Sequence, residues 1–226
     1  GGSYCGGGWM LVEIGSHVVE FCRYRDNIWI ANTPITVSQF AQFRSTKEMD
    51  PFASYMPEPE CPVVGISWHD AVEYAEWVSD QQKALGIFRL PYDKEWVGAA
   101  TQSIRDPYWF GSSIDAFPFF GWYFLNAGNS TQPVRSLVPS PKGLFDIHGN
   151  VWEWCADICS QDGANLSEVF GRGAEVTGDS RILRGGSWSD SPNWCSLRTA
   201  SNPHWPADRG FMFGARLVLE RQDGSE

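Results

Sequence analysis

Apolar and polar positions change rhythm along this chain, and the changes mark its elements. Residues 10–14 and 18–24 are short apolar or alternating runs separated by Gly15-Ser16, the pattern of a β-hairpin. A third strand is predicted over 27–31, ended by Asn32-Thr33-Pro34. From Thr36 to Phe43 apolar residues recur every three or four positions behind a Thr or Ser cap, which predicts a helix. Residues 49–62, rich in Pro and acidic side chains, read as a loop. Ser67 is a good N-cap, and Ala71, Val72, Ala75 and Val78 with Tyr74 and Trp77 form the clearest amphipathic helix of the chain, stopping near Gly86. A shorter helix is predicted from Tyr92 or Asp93 to Ala100.

Residues 101–142 hold many Gly, Pro and aromatic positions without a sustained period and read as loops with short strands. Phe117-Pro118-Phe119-Phe120-Gly121-Trp122-Tyr123-Phe124 is too interrupted for a core strand and too apolar for open solvent. Strands are predicted at 151–154, 182–183 and 215–219, the last pairing with an N-terminal strand. There is no internal repeat and no boundary after residue 10. The expected organisation is therefore a flexible glycine-rich lead-in over 1–9, one domain over 10–220 and a polar tail over 221–226.

A chain of 226 residues can bury roughly 70% of its unfolded surface. Aromatic residues make up 15% and charged residues only 19%, so large amphipathic rings must supply much of the stability, and such rings also suit binding surfaces. The formal charge of −10, with no Lys/Arg run, argues against nucleic acid as a partner, because that affinity rests on neutralising phosphates. No apolar run approaches the ~20 residues of a spanning helix. The six cysteines are too few and too widely spaced for a disulfide framework, leaving buried thiols or one or two disulfides. Cys155 and Cys159 lack the second Cys pair or nearby His of a zinc site.

Candidate chemistry is sparse. Gly185-Gly186-Ser187-Trp188 lacks the Gly-x-Ser-x-Gly spacing of a nucleophile elbow, and His17, His69, His148 and His204 sit in unrelated contexts, so Ser187 reads as a capping hydroxyl in a glycine turn. Asp146 and Glu153, with the carbonyls of Gly149 and Val151, are a candidate oxygen set for a structural calcium ion. The alternative, equally open, is that Asp146 caps backbone amides while Glu153 pairs with Arg184 or Arg216. Cys195, flanked by Asp190 and Trp194, reads as a small buried hydrophobe.

Pro62-Val63-Val64-Gly65-Ile66-Ser67-Trp68, the helix that follows, Arg89-Leu90-Pro91 with Glu95-Trp96, Gly143-Leu144-Phe145-Asp146, Gly149-Asn150-Val151-Trp152-Glu153-Trp154 and Arg184-Gly185-Gly186-Ser187-Trp188 occur in one order. In this the chain resembles the formylglycine-generating enzymes from about Trp29 to Leu219, and the Gly-Asn-Val-Trp-Glu-Trp run is highly specific. The resemblance implies an α+β chain with a variant of the C-type lectin fold: small irregular antiparallel sheets, two or more helices and much loop. Those enzymes bind copper through two cysteines, five residues apart, in the segment after Gly-Gly-Ser. Here the second position is Cys195 but the first is Asp190. One thiolate does not reproduce that site, and a carboxylate is a poor ligand for soft Cu(I). An enzyme is therefore not expected and no cofactor is required; the alternative is a copper oxidase of this type or a related superfamily enzyme.

The tail also resembles that of the variable proteins of diversity-generating retroelements, whose C-terminal segment is rewritten by adenine-directed mutagenesis. Cys195, Pro206, Arg209, Gly214 and Arg216 keep that layout, and Ala215 departs from it where an aromatic residue is usual. The resemblance implies a non-enzymatic ligand-binding protein with a variable region over about 184–219. Its ligand contacts would be Ser189, Asp190, Ser191, Asn193, Trp194, Asn202, His204, Trp205, Asp208, Phe211, Met212 and Phe213. Aromatic anchors among small polar groups suit an adaptable binding surface. Trp205 and Phe211 to Phe213 read as exposed, against core packing, because they lack strand alternation. The same analogy implies a protein or other cell-surface ligand, a monomer, and a bacterial cell-surface location through an N-terminal lipid anchor, for which Cys5 is one candidate.

Overall fold

The computed structural model describes residues 3–5, 8–44, 46–101, 105–159, 180–199 and 202–222. Four strands open the chain: β1 (Ser3–Cys5), β2 (Trp9–Ile14), β3 (His17–Arg25) and β4 (Ile28–Ala31). Helices α1 (Val37–Phe43) and α2 (Trp68–Gln81), strand β5 (Gly86–Arg89) and helix α3 (Asp93–Ala100) follow. Then come β6 (Gly121–Trp122), β7 (His148–Gly149), β8 (Trp152–Ile158), β9 (Arg181–Arg184), β10 (Asn202–His204), β11 (Phe213–Gly214) and β12 (Val218–Arg221).

The largest sheet has the order β1-β2-β3-β4-β12-β5, so the end of the chain is inserted between the N-terminal hairpin strands and β5. The expected pairing of the last strand with an N-terminal one is thus Val218 to Ile30 and Leu219 to Trp29. A second sheet runs β10-β9-β8-β11, and β6 pairs with β7. The sheets are small, irregular and mainly antiparallel, as expected, with two parallel pairs, β11 with β8 and β6 with β7. Both pairs join strands separated by long excursions, which is what a parallel pair requires.

The central sheet is buried on both faces, and strand alternation sorts its residues between them. Phe21, Trp29, Ala31 and Leu219 join α2's Ala71, Tyr74, Ala75 and Val78 in one core cluster. Cys22, Ile30 and Val218, their immediate neighbours, join Trp96, Ala99 and Ala100 of α3 in another. Each of these helices starts at a defined point. Ser67 is the N-cap that the sequence suggested and closes a capping box with Asp70, and Thr36 does the same with Gln39 ahead of α1; such caps contribute about 1 kcal/mol each.

Four sequence readings need correction. Part of the lead-in is ordered in β1, where Ser3, Tyr4 and Cys5 pair with Leu11, Met10 and Trp9, an open edge being available to any extended segment. Arg221 of the expected polar tail pairs with Gly86 in the sheet. Helix α2 ends at Gln81, short of Gly86, and Gly86 instead opens β5 at φ 143°, where a Cβ would come 2.2 Å from the Glu220 carbonyl oxygen. The Pro-rich segment read as loop carries a 3₁₀ helix over Thr46–Tyr55. Among the described residues no helix is long and apolar enough to cross a membrane.

Candidate functional site

The tail between β9 and β12 carries the expected contact positions, and its geometry begins at two glycines. Gly185 and Gly186 sit at φ 104° and 74°, and a Cβ on Gly186 would lie 2.6 Å from the Cys195 sulfur, so only glycine lets the two segments approach. The following turn is tied by Asp190, whose Oδ2 accepts from the Ser187 N–H at 3.0 Å, from the Ser187 hydroxyl and from the Trp152 indole at 2.8 Å. Asp190 is therefore turned inward onto the scaffold, not outward as a free contact. Its backbone carbonyl accepts from Phe124 N–H at 3.1 Å, which brings the aromatic 117–124 stretch to this turn.

Around this turn the structure gathers part of the expected set. Ser189 and Asn193 are exposed, while Ser191 and Trp194 are half-buried. Met212 reaches the same turn, its sulfur 3.2 Å from the Ser187 oxygen. Half-buried Phe211 packs with Trp188 and Tyr55, the Tyr55 and Phe211 ring centroids lying 5.1 Å apart. Strand β10 carries Asn202 and His204, and the turn that follows it carries Trp205 and Asp208. There Asp208 accepts from the Trp205 N–H at 3.0 Å and lies 3.3 Å from His204 Nδ1, leaving the Trp205 ring 46% exposed.

Phe213 breaks the pattern. It is 7% exposed, its ring lies 5.4 Å from Trp154 and 4.5 Å from His204, and it belongs to the main core. The expectation of an exposed ring fails because β11 pairs with β8 and one side of that pair faces the core. Tyr55 and Phe124 are the neighbours of the tail that sequence reasoning missed, and Trp188 packs buried beside Tyr55 and Phe211. Tyr55 and Phe124 lie far from the tail in sequence, and nothing local marks them as its neighbours.

The tail also enters a polar core. Glu153 and Arg216 are both fully buried, Arg216 Nε lying 2.6 Å and Nη2 2.7 Å from the two carboxylate oxygens. The Trp96 indole donates to the same carboxylate at 2.6 Å, and Arg216 also reaches the carbonyls of Ala31 and Phe145. Of the two arginines open for Glu153, the partner is Arg216; Arg184 instead pairs with Asp93. Asp146, at φ 57°, accepts from Arg135 N–H and the Asn150 side chain, each at 3.2 Å, and burial pushes its carboxyl up to about 6. Val151 is buried, and Gly149 packs its backbone against the Trp122 carbonyl. The donors that answer Glu153 and Asp146 belong to the protein. They do not fit a calcium ion, because a guanidinium already occupies the cationic position on Glu153.

The residues do not fit copper either. Cys195 is buried, its sulfur 3.9 Å from the Ser187 carbonyl, and burial, with the Asp190 charge adding to it, pushes its thiol far up. Asp190 is engaged by Trp152 and Ser187. Among the described residues no cluster of three or more His, Cys, Asp or Glu is placed to hold a metal ion. Cys22, Cys61, Cys155, Cys159 and Cys195 are all buried free thiols. His148, beside Cys195, ties three segments together. Its Nδ1 lies 2.8 Å from the Cys195 carbonyl, its Nε2 accepts from Trp109 N–H at 3.2 Å, and burial lowers its pKa to about 4.

Comparison with known proteins agrees with this architecture. Among curated relatives, the formylglycine-generating enzyme of Thermomonospora curvata is 31% identical over 175 residues, covering 68% of this chain and 54% of that protein. The serine/threonine-protein kinase pkn1 of Chlamydia caviae is 36% identical over 152 residues, covering 63% of this chain and 22% of that one. The chain thus spans about half the length, or less, of these relatives. Among solved structures, Treponema denticola variable protein 1 superposes with a TM-score of 0.70 at 18% identity, covering 93% of this chain and 98% of that one, a likeness of fold. A family model described as sulfatase-modifying factor enzyme 1-like domain matches residues 16–221. With its sheets, its buried Glu153 and Arg216 and that match over most of its length, the chain belongs to the sulfatase-modifying factor enzyme 1-like domain family.

Proposed function

We propose that this chain is a non-enzymatic ligand-binding protein whose C-terminal face, between Arg184 and Leu219, is a diversified surface of the kind rewritten by a diversity-generating retroelement. The observation that carries the reading is the division of labour in the tail. Gly186, Cys195, Phe213 and Arg216 hold the fold, while Ser189, Asn193 and Trp205 open to solvent from turns that the scaffold braces. A braced turn displaying a large ring and small polar groups can change its exposed side chains without refolding, which is what a variable binding surface needs. The fold shared with Treponema denticola variable protein 1 supports this reading.

The ligand is a protein or another molecule exposed on a cell surface, and the protein acts as a monomer held at a bacterial surface by an N-terminal lipid. The acidic balance of −10 disfavours nucleic acid. A second reading, a formylglycine-generating-type copper oxidase, is favoured by the 31% identity to an enzyme of that name. Cu(I) titration under a competing chelator separates the two. The binding reading expects no stoichiometric site, and one equivalent held through Cys195 would favour the oxidase.

A further inference from the structure

On another part of the surface a half-open cavity of about 190 Å³ lies at the C-terminal end of α3. Thr101, Tyr108, Trp109 and Pro141 line it, and it carries two opposite charges, Asp106 and Lys142. The volume is below the roughly 300–1,000 Å³ of pockets for drug-sized ligands, which restricts the occupant to a small molecule. Lys142 is pinned, not free to swing: its ammonium donates to the Gly98 carbonyl at 2.9 Å and lies 5.3 Å from the centre of the Tyr24 ring. A held cation has already lost the rotamer freedom that binding an anion would otherwise cost. Burial also lowers the Lys142 pKa, showing a partly desolvated ammonium that a carboxylate would stabilise. Asp106 is exposed at the other charged position.

A simple anion in this cavity would meet the Asp106 carboxylate, and a simple cation would meet Lys142. A zwitterion answers both, and the two rings with Pro141 offer an apolar wall for the rest of it. We infer that the cavity binds a free α-amino acid with an aromatic or aliphatic side chain, its carboxylate on Lys142, its ammonium on Asp106 and its side chain against Trp109 and Tyr108. The inference uses no residue of the C-terminal face and goes beyond the function proposed for it.

Calorimetric titration of the intact chain tests this with L-phenylalanine, with phenethylamine, which lacks the carboxylate, and with hydrocinnamate, which lacks the amine. The expected result is a Kd for L-phenylalanine of about millimolar or tighter, with each one-ended analogue at least roughly tenfold weaker. Asp106→Asn should bring L-phenylalanine down to the level of hydrocinnamate, and Lys142→Met to that of phenethylamine. Since Lys142→Met also removes the contact with Gly98, Lys142→Arg serves as the variant that keeps the charge, and it should retain binding. The inference is overturned if L-phenylalanine does not bind, if either analogue binds as well as it does, or if Asp106→Asn leaves its affinity unchanged.

Discussion

Arg216 and Glu153 meet at 2.6 Å with neither side chain reaching solvent, and this contact joins the end of the C-terminal segment to the Gly-Asn-Val-Trp-Glu-Trp run 63 residues earlier. Two charges removed from water are tolerable only when each is paired and its remaining polar atoms are bonded. Here Trp96, the Ala31 carbonyl and the Phe145 carbonyl complete the set. Arg216 itself belongs to the tail, so the pair ties that segment to a fixed, buried polar anchor.

Removing one partner leaves the other buried and uncompensated. Arg216→Met is expected to cost about 3–5 kcal/mol, a large fraction of the roughly 5–15 kcal/mol by which domains are stable. Urea unfolding of the variant checks this; a loss under about 1 kcal/mol would mean that the anchor does not hold the fold.

The two aromatic residues Trp205 and Phe213 should separate cleanly. Trp205 is 46% exposed, so Trp205→Ala should change stability by no more than about 0.5 kcal/mol. Phe213 packs on Trp154 in the core, and Phe213→Ala should cost about 3–5 kcal/mol. Denaturation midpoints read both. Equal losses would contradict the division between display and scaffold.

The pH dependence follows from two buried groups of opposite sign. His148 has a folded pKa lowered to about 4 by burial, against about 6.5 when unfolded, so between these values the unfolded chain binds a proton that the folded chain refuses. Its contribution is complete above about pH 6.5 and is lost as pH falls towards 4, an effect of roughly 3 kcal/mol. Asp146, raised to about 6, works in the other direction: its contribution is present below its unfolded value and lost as pH rises through about 6. The slopes oppose each other in the wild type, and His148→Asn exposes the histidine part. The stability gap between wild type and His148→Asn should shrink from pH 7 to pH 4.5, as measured by urea unfolding at both. A gap independent of pH would contradict a neutral, buried His148.

Local signals made much of the scaffold legible. Alternation around Gly15-Ser16 marked the β2–β3 hairpin, and Ser67 with the spacing of Ala71, Tyr74, Ala75 and Val78 marked α2. What escaped was set by distant partners. The four residues of β5 form a strand because β12 lies beside them, and Gly86 carries no mark of the Glu220 carbonyl it must admit. Phe213 could not be told from an exposed ring, since its burial depends on β8 arriving in parallel register. Glu153 left two arginines and a calcium ion open, and only the insertion of the tail beside β4 selects Arg216. The twelve contact positions were named through resemblance. Their exposure divides by turn geometry, as when Asp190 turns inward to Trp152 while neighbouring Ser189 stays in solvent.

The most direct test of a rewritten C-terminal surface is to sequence the DNA next to the gene. The account predicts a near-copy of the codons for Arg184 to Leu219, differing at adenines, beside a reverse transcriptase, with the differences falling on exposed positions such as Ser189, Asn193 and Trp205 and sparing the codons of Gly186, Cys195 and Arg216. A locus without such a copy, or one whose differences fall on the buried anchors, would contradict it.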